Sequence, residues 1–185
     1  MKGLAAATAV LLLVAVAVVA ANGSNEGTSA SAAKAAYTRS CQRTNAYPAY
    51  PPDKKRDAIL GRVRLGAFRG NFENAEPGDV YQPKPGQFDL KAPVVFPGRR
   101  DVTIAVPESH QAVLRLRYKS NRSKGHPSVR FRSCSTSRST ITGYAGGLLY
   151  TGPWPACVPL EVTVAGSATT RHVVSLGAGR CPAPG

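Results

Sequence analysis

From Asp57 onward, apolar and polar residues alternate with a period of two. Ile59, Gly61, Val63, Leu65 and Ala67 alternate with Arg62 and Arg64, and Phe88 and Leu90 with Asp89 and Lys91. Val102, Ile104 and Val106 alternate with Thr103 and Ala105. Leu114, Leu116 and Tyr118 alternate with Arg115 and Arg117, which is the cleanest case. Val129 and Phe131, then Val158 to Val164, then His172, Val174 and Leu176 complete the series. Such alternation marks strands with one face on a core and the other in water. Gly, Pro, Asn and Ser breaks separate the runs, at Glu76–Asp79, Pro83–Gly86, Pro97-Gly98, Ser120–Pro127, Gly152-Pro153 and Ala165-Gly166. No stretch offers two clean helical turns. Seven to nine antiparallel strands at this spacing predict an all-β, two-sheet sandwich of the immunoglobulin-like kind. Gly146-Gly147 reads as a hairpin turn or bulge. Pro159 has no N–H to give a ladder, so its strand is expected at a sheet edge.

The first residues follow another pattern. Met1-Lys2 precedes an uninterrupted apolar and small-residue run from Leu4 to Ala20, ending in sites such as Val18-Val19-Ala20. This is the layout of a secretory signal peptide over 1–21. The run sits at the lower limit for crossing a bilayer, about 17–25 residues, so an uncleaved anchor is the alternative. Residues 22–36 are small, polar and aperiodic, as a flexible linker would be. One β-sandwich domain is expected over 37–185. Within it, residues 45–55 interleave Pro with Tyr and read as a loop along a sheet edge. A secreted or cell-surface location follows.

Export changes the reading of the cysteines. Cys41, Cys134, Cys157 and Cys181 are even in number and widely spaced, without a C-x-x-C pair or a His in ligand register. Zinc would want close ligand pairs, whereas an oxidising compartment favours two disulfides. Three connectivities are possible. A local Cys134–Cys157 staple and a Cys41–Cys181 bond tying the domain ends together are the expected pair.

Charge adds a second theme. Lys and Arg number 24 against 10 Asp and Glu, a net charge of +14, and losing residues 1–21 removes only Lys2. Arg115, Arg117, Lys119, Arg122 and Lys124 run through one strand and its following loop, and Arg130 and Arg132 share the outward parity on the next. If those strands pair as a hairpin across Lys119–Gly125, four guanidinium groups share one face. Like charges opposed across a sheet are destabilising, and Arg forks onto phosphate and carboxylate, so an anionic partner would account for such a face. An anionic envelope polymer or lipid headgroups are the partners expected. Tyr118 and Phe131 have the inward parity, which disfavours base stacking and sequence-specific nucleic acid. A solvated basic face is the competing reading. Membrane contact is expected only if the N-terminal segment is uncleaved.

Catalytic signatures are missing from the sequence. There is no G-x-S-x-G elbow, no Walker A lysine in Gly143–Gly152, and no H-E-x-x-H among His110, His126 and His172. Glu73, Asn74, Glu76 and Asp79 cluster in one loop but do not match an EF-hand. No cofactor or metal is expected, and no enzyme. The alternatives are a hydrolase using loop carboxylates, which needs two acids across a cleft, or a membrane-anchored structural surface protein.

The C-terminal half carries a distinctive string: VRFRSC (129–134), T-x-x-x-x-GG (142–147), GPWPACVPLEVTVAG (152–166) and VVSLGAGRC (173–181). It resembles a group of small, uncharacterised secreted proteins of high-GC Gram-positive bacteria. The resemblance implies an exported β-domain with a staple in the Cys134–Cys157 region. It carries over no catalytic residue.

Overall fold

The computed structural model describes residues 36–41, 53–118, 124–134 and 141–183, all within the unit Ala33–Gly185. The signal segment 1–21, the linker up to residue 35, most of the Tyr-Pro strip, Lys119 and Arg122 lie outside the described residues. Twelve described strands form the domain: β1 (Tyr37–Arg39), β2 (Ala58–Leu60), β3 (Val63–Leu65), β4 (Phe88–Lys91), β5 (Val94–Pro97), β6 (Val102–Ala105), β7 (Leu114–Arg117), β8 (Ser128–Phe131), β9 (Ile141–Tyr144), β10 (Gly147–Tyr150), β11 (Ala156–Val164) and β12 (Thr169–Leu176). Among the described residues one short α-helix, α1 (Phe68–Phe72), buries Phe68 and Phe72, which meet edge to face at 5.1 Å one turn apart.

The all-β sandwich is as expected, with more strands than the alternation announced and a different division into sheets. β1-β8-β6-β11-β12 form a five-stranded sheet, β4-β10-β7 a three-stranded one, and β2-β3-β5-β9 a four-stranded one. Every pair is antiparallel except β1–β8. The two smaller sheets are consecutive blocks of one ladder. Residues 88–91 pair with 147–150, residues 94–97 pair with 141–144 in the same register, and between them Ala92 N–H donates to Gly146 C=O at 2.9 Å. Pro93 faces the other side of this ladder, where its C=O accepts the Gly66 N–H at 2.8 Å and β3 takes its place beside β5, so the corner falls where the neighbouring strand changes.

This corner corrects the expected Gly146-Gly147 hairpin. β9 and β10 do not pair with each other. Gly146 adopts φ +156, and a Cβ on it would run into the Tyr118 ring, while one on Gly147 would run into the Leu90 carbonyl. Glycine is needed because backbone and an aromatic ring close in from both sides. Tyr118 itself is fully buried and its hydroxyl donates to Ala92 C=O at 2.7 Å. Burial raises its pKa well above the ordinary tyrosine range. From Tyr118 an aromatic chain crosses the core, through Phe131 at 4.9 Å to Tyr144 at 5.3 Å, joining the five-stranded sheet to the four-stranded one.

Three further expectations change. The alternation from Ile59 to Ala67 is not one strand: Leu60 pairs with Val63 across a two-residue turn, Gly61-Arg62, with Gly61 at φ +63. The turn reverses the parity of β2, so Ile59 is 39% exposed, while Arg64 keeps the outward parity and is nevertheless buried, against Asp57 at 3.7 Å. Pro159 lies on β11, an inner strand. However, β6 pairs only with Glu161–Val164, so the half containing Pro159 has β12 as its one neighbour. The Ala165 N–H points to the β6 side, onto Asp101 C=O. By alternation the nitrogen of Pro159 faces that side too, beyond the end of β6.

The disulfides are Cys41–Cys134 and Cys157–Cys181, not the local and end-to-end pair expected. The reason is strand placement. β1 adds in parallel beside β8 and brings Cys41 to Cys134 just past its end, while the β11–β12 hairpin brings Cys157 near the chain after β12. Both bonds are formed, which fits an oxidising environment. No helix among the described residues is long and apolar enough to cross a membrane.

Candidate polyanion-contacting surface

The expected β7–β8 hairpin is reduced to one antiparallel pair. Leu116 and His126 exchange two backbone hydrogen bonds of 2.8 Å, and His126 stacks on Tyr37 at 4.3 Å. Pro127 faces the other way, its C=O accepting the Val106 N–H at 2.8 Å. From Ser128 the chain pairs instead with β6 and β1, so Arg115 and Arg117 belong to one sheet and Arg130 and Arg132 to the strand and end of another. The single face of four guanidinium groups does not form.

The seven expected contact residues therefore separate. Arg117 is buried in an ion pair with Asp89 of β4, with side-chain exposures of 8% and 5%. It is neutralised within the fold. Arg115 is half-buried, with Gly125 (φ +74) closing on its Cβ, and Lys124 is exposed. Lys119 and Arg122 fall outside the described residues.

Arg130 and Arg132 remain accessible, at 50% and 58%, and converge on Asp101. Nε and Nη2 of Arg130 donate to one Asp101 oxygen at 3.1 and 2.8 Å, and Arg132 lies 3.6 Å from it. The other oxygen accepts the Ser133 N–H at 2.9 Å. Partial burial pushes the Asp101 pKa up, but the Ser133 amide and the two arginines outweigh it and hold the carboxyl below its ordinary value.

Ser133 also ties the β5–β6 turn to the end of β8, its hydroxyl donating to Gly98 C=O at 2.8 Å. That turn reads Pro97-Gly98-Arg99-Arg100-Asp101, and Arg99 and Arg100 are both exposed. Sequence reading used Pro97-Gly98 only as a break and passed over the Arg-Arg pair. The signal was present as two adjacent cations in a turn, but only the fold brings them to Arg130 and Arg132. Arg99 and Arg100 thus stand in the turn whose Asp101 pairs with Arg130 and Arg132.

Glu73 pairs with Arg69 at 3.3 Å, and Asp79 caps the turn that Glu76 opens. Among the described residues no three His, Cys, Asp or Glu side chains gather as metal ligands would. His110 contacts the Ser109 hydroxyl at 2.9 Å, and His172 the Thr170 hydroxyl at 2.9 Å, with burial lowering the His172 pKa. Tyr144, its pKa pushed up to about 12 chiefly by burial, donates to Arg132 C=O at 2.7 Å and braces the base of the arginine cluster. No family model, curated protein or solved structure matches the chain.

Proposed function

We propose that the chain is an exported, non-enzymatic binding module of the cell envelope that contacts polyanions through exposed arginines. The apolar leader, the resemblance to small secreted proteins and the two disulfides support export. One observation carries the binding reading: Arg99, Arg100, Arg130 and Arg132 gather at one turn and strand end with Asp101 as the carboxylate that pairs there. Self-repulsion among four cations disfavours such a cluster unless an anion relieves it. Guanidinium forks suit the oxygens of phosphate and carboxylate groups. A phosphate-bearing envelope polymer meets that chemistry.

The test is a salt titration of purified domain binding to cell-envelope material, with wild type beside a variant in which Arg99, Arg100, Arg130 and Arg132 are changed to Ser. Affinity should fall steeply with salt, as counterion release requires, and the variant should lose both affinity and slope. Salt-independent binding, or an unchanged slope in the variant, would end this reading.

A further inference from the structure

We propose that the basic surface contains a discrete seat for a terminal phosphate monoester, in the cleft between the β2–β3 and β5–β6 turns. The inference rests on the polyanion-contacting reading and adds the chemical group recognised. The cleft has a volume of about 190 Å3. Arg62 lines it from the β2–β3 turn, and Arg99 and Arg100 from the β5–β6 turn. Phe96, Val102 and Val164 provide an apolar floor.

Three features separate this cleft from the rest of the basic surface. First, its arginines are unpaired: Arg62, Arg99 and Arg100 have no hydrogen-bond or ion-pair partner among the described residues, whereas Arg117 is neutralised by Asp89 and Arg130 is held by Asp101. Second, no acid lines the cleft. The nearest in sequence, Asp101, has its oxygens engaged with Ser133, Arg130 and Arg132. Third, its walls are held in place. Gly61 at φ +63 sets the hairpin that carries Arg62, and the Ser133 hydroxyl and amide fix the β5–β6 turn at Gly98 and Asp101. A backbone already fixed at both turns leaves only the arginine side chains to be ordered on binding.

The count of donors selects the ligand. A carboxylate offers two oxygens and a phosphodiester two unesterified ones. A phosphate monoester offers three strong acceptors and a charge of about −1.5 to −2 at neutral pH, which suits three guanidinium groups. Phe96 and Val102 are buried at 1% and 2% exposure, so no aromatic ring is available to stack a base. That favours the phosphorylated end of a sugar or polyol chain over a nucleotide.

The experiment is calorimetry and amide-NMR titration of the disulfide-intact protein with methyl phosphate, dimethyl phosphate and sulfate. The wild type is compared with Arg62→Gln, Arg100→Gln and, as a control outside the arginine cluster, Arg171→Gln on β12, where Arg171 is exposed. Methyl phosphate should saturate one site, with amide shifts confined to residues 61–63 and 97–102. It should bind about tenfold or more tightly than dimethyl phosphate, and Arg62→Gln and Arg100→Gln should each weaken it about tenfold or more, given the strength of charge-assisted hydrogen bonds. Arg171→Gln should leave it unchanged. Equal binding of monoester and diester, non-saturating shifts spread over all the arginines, or equal loss in all three variants would overturn the monoester seat. In each of those cases polymer binding would still stand on its salt slope. Absence of salt-dependent polymer binding as well would remove the underlying reading with it.

Discussion

Changing Arg117 to Met should cost the domain about 3–5 kcal/mol, more than loss of an exposed arginine would. Arg117 and Asp89 lie on the two strands flanking β10, opposite Gly147 and Leu149, and so meet diagonally across it. Gly147 offers no side chain to come between them. Both partners are more than nine-tenths buried. Removing the guanidinium leaves a carboxylate with neither water nor counter-charge, and breaking such a buried pair typically costs about 3–5 kcal/mol. Changing both residues, Arg117→Met with Asp89→Leu, removes the desolvation cost along with the attraction and should return stability to within about 1 kcal/mol of wild type or above it. For a domain of this size 1 kcal/mol moves Tm by about 2–4 °C, so the single variant should melt about 6–20 °C lower. Trp154, the sole tryptophan of the chain, reports the transition, since its ring lies 4.7 Å from Phe88, the residue before Asp89. Urea unfolding followed by its fluorescence in all four forms closes the double-mutant cycle. If Arg117→Met loses less than about 1 kcal/mol, or the double variant is as unstable as the single one, the pair is solvent-screened and the argument fails.

Peptide mapping without reduction should find Cys41 linked to Cys134 and Cys157 to Cys181, and a Cys134–Cys157 peptide would refute the strand placement. Removing the first bond, with a separation of 93 residues, should cost about 4.7 kcal/mol, against about 3.5 for the second, with a separation of 24, on the chain-entropy model; the reverse order in denaturant unfolding would contradict it. Gly147→Ala should lose about 2–3 kcal/mol by forcing a methyl group against the Leu90 carbonyl, while Gly78→Ala, with open space around it, should stay within about 0.5 kcal/mol. Asp101 has a folded-state pKa below its ordinary 3.8. Its ionised form therefore stabilises the fold above that value, and the contribution is lost as pH falls through the folded pKa. Asp101→Asn should be less stable than wild type at pH 7, and the gap should close below about pH 4; a gap independent of pH would show that the carboxylate charge is irrelevant.

The strands with one wet face were legible: β6, β7, β8 and β11 appear where alternation placed them, because burial of one face writes itself into the local sequence. Partnership was not legible. β7 and β8 are close in sequence and alternate in phase, yet their ladder ends after one pair and β8 joins β6. The Ile59–Ala67 alternation runs straight through a turn, since Gly61 fits an apolar slot in the pattern while supplying a positive φ. The runs 88–97 and 141–150 carry no mark of the corner beyond Pro93 and Gly146, and what bends there is set by Tyr118, a residue from a third strand. The candidate site followed suit. Arg130 and Arg132 could be read as exposed from parity, but burial of Arg117 depended on Asp89. The value of Arg99 and Arg100 depended on Ser133.

The two crosslinks also determine how the chain would bear a pull. Tension entering from the N-terminal side reaches Cys41 and passes through sulfur directly to Cys134, and tension reaching Cys157 passes to Cys181. Everything from 42 to 133 and from 158 to 180 is spared the load while the bonds hold. That includes β2 to β8, the corner at Ala92-Pro93 and every arginine in the cleft. Between the crosslinks, the stretch from Cys134 to Cys157, with β9 and β10, would carry the load and lengthen. A module tethered at its N-terminal end would thus keep its basic turns in shape while being stretched. Under a reducing agent the force would run instead through β1 and its parallel pairing with β8.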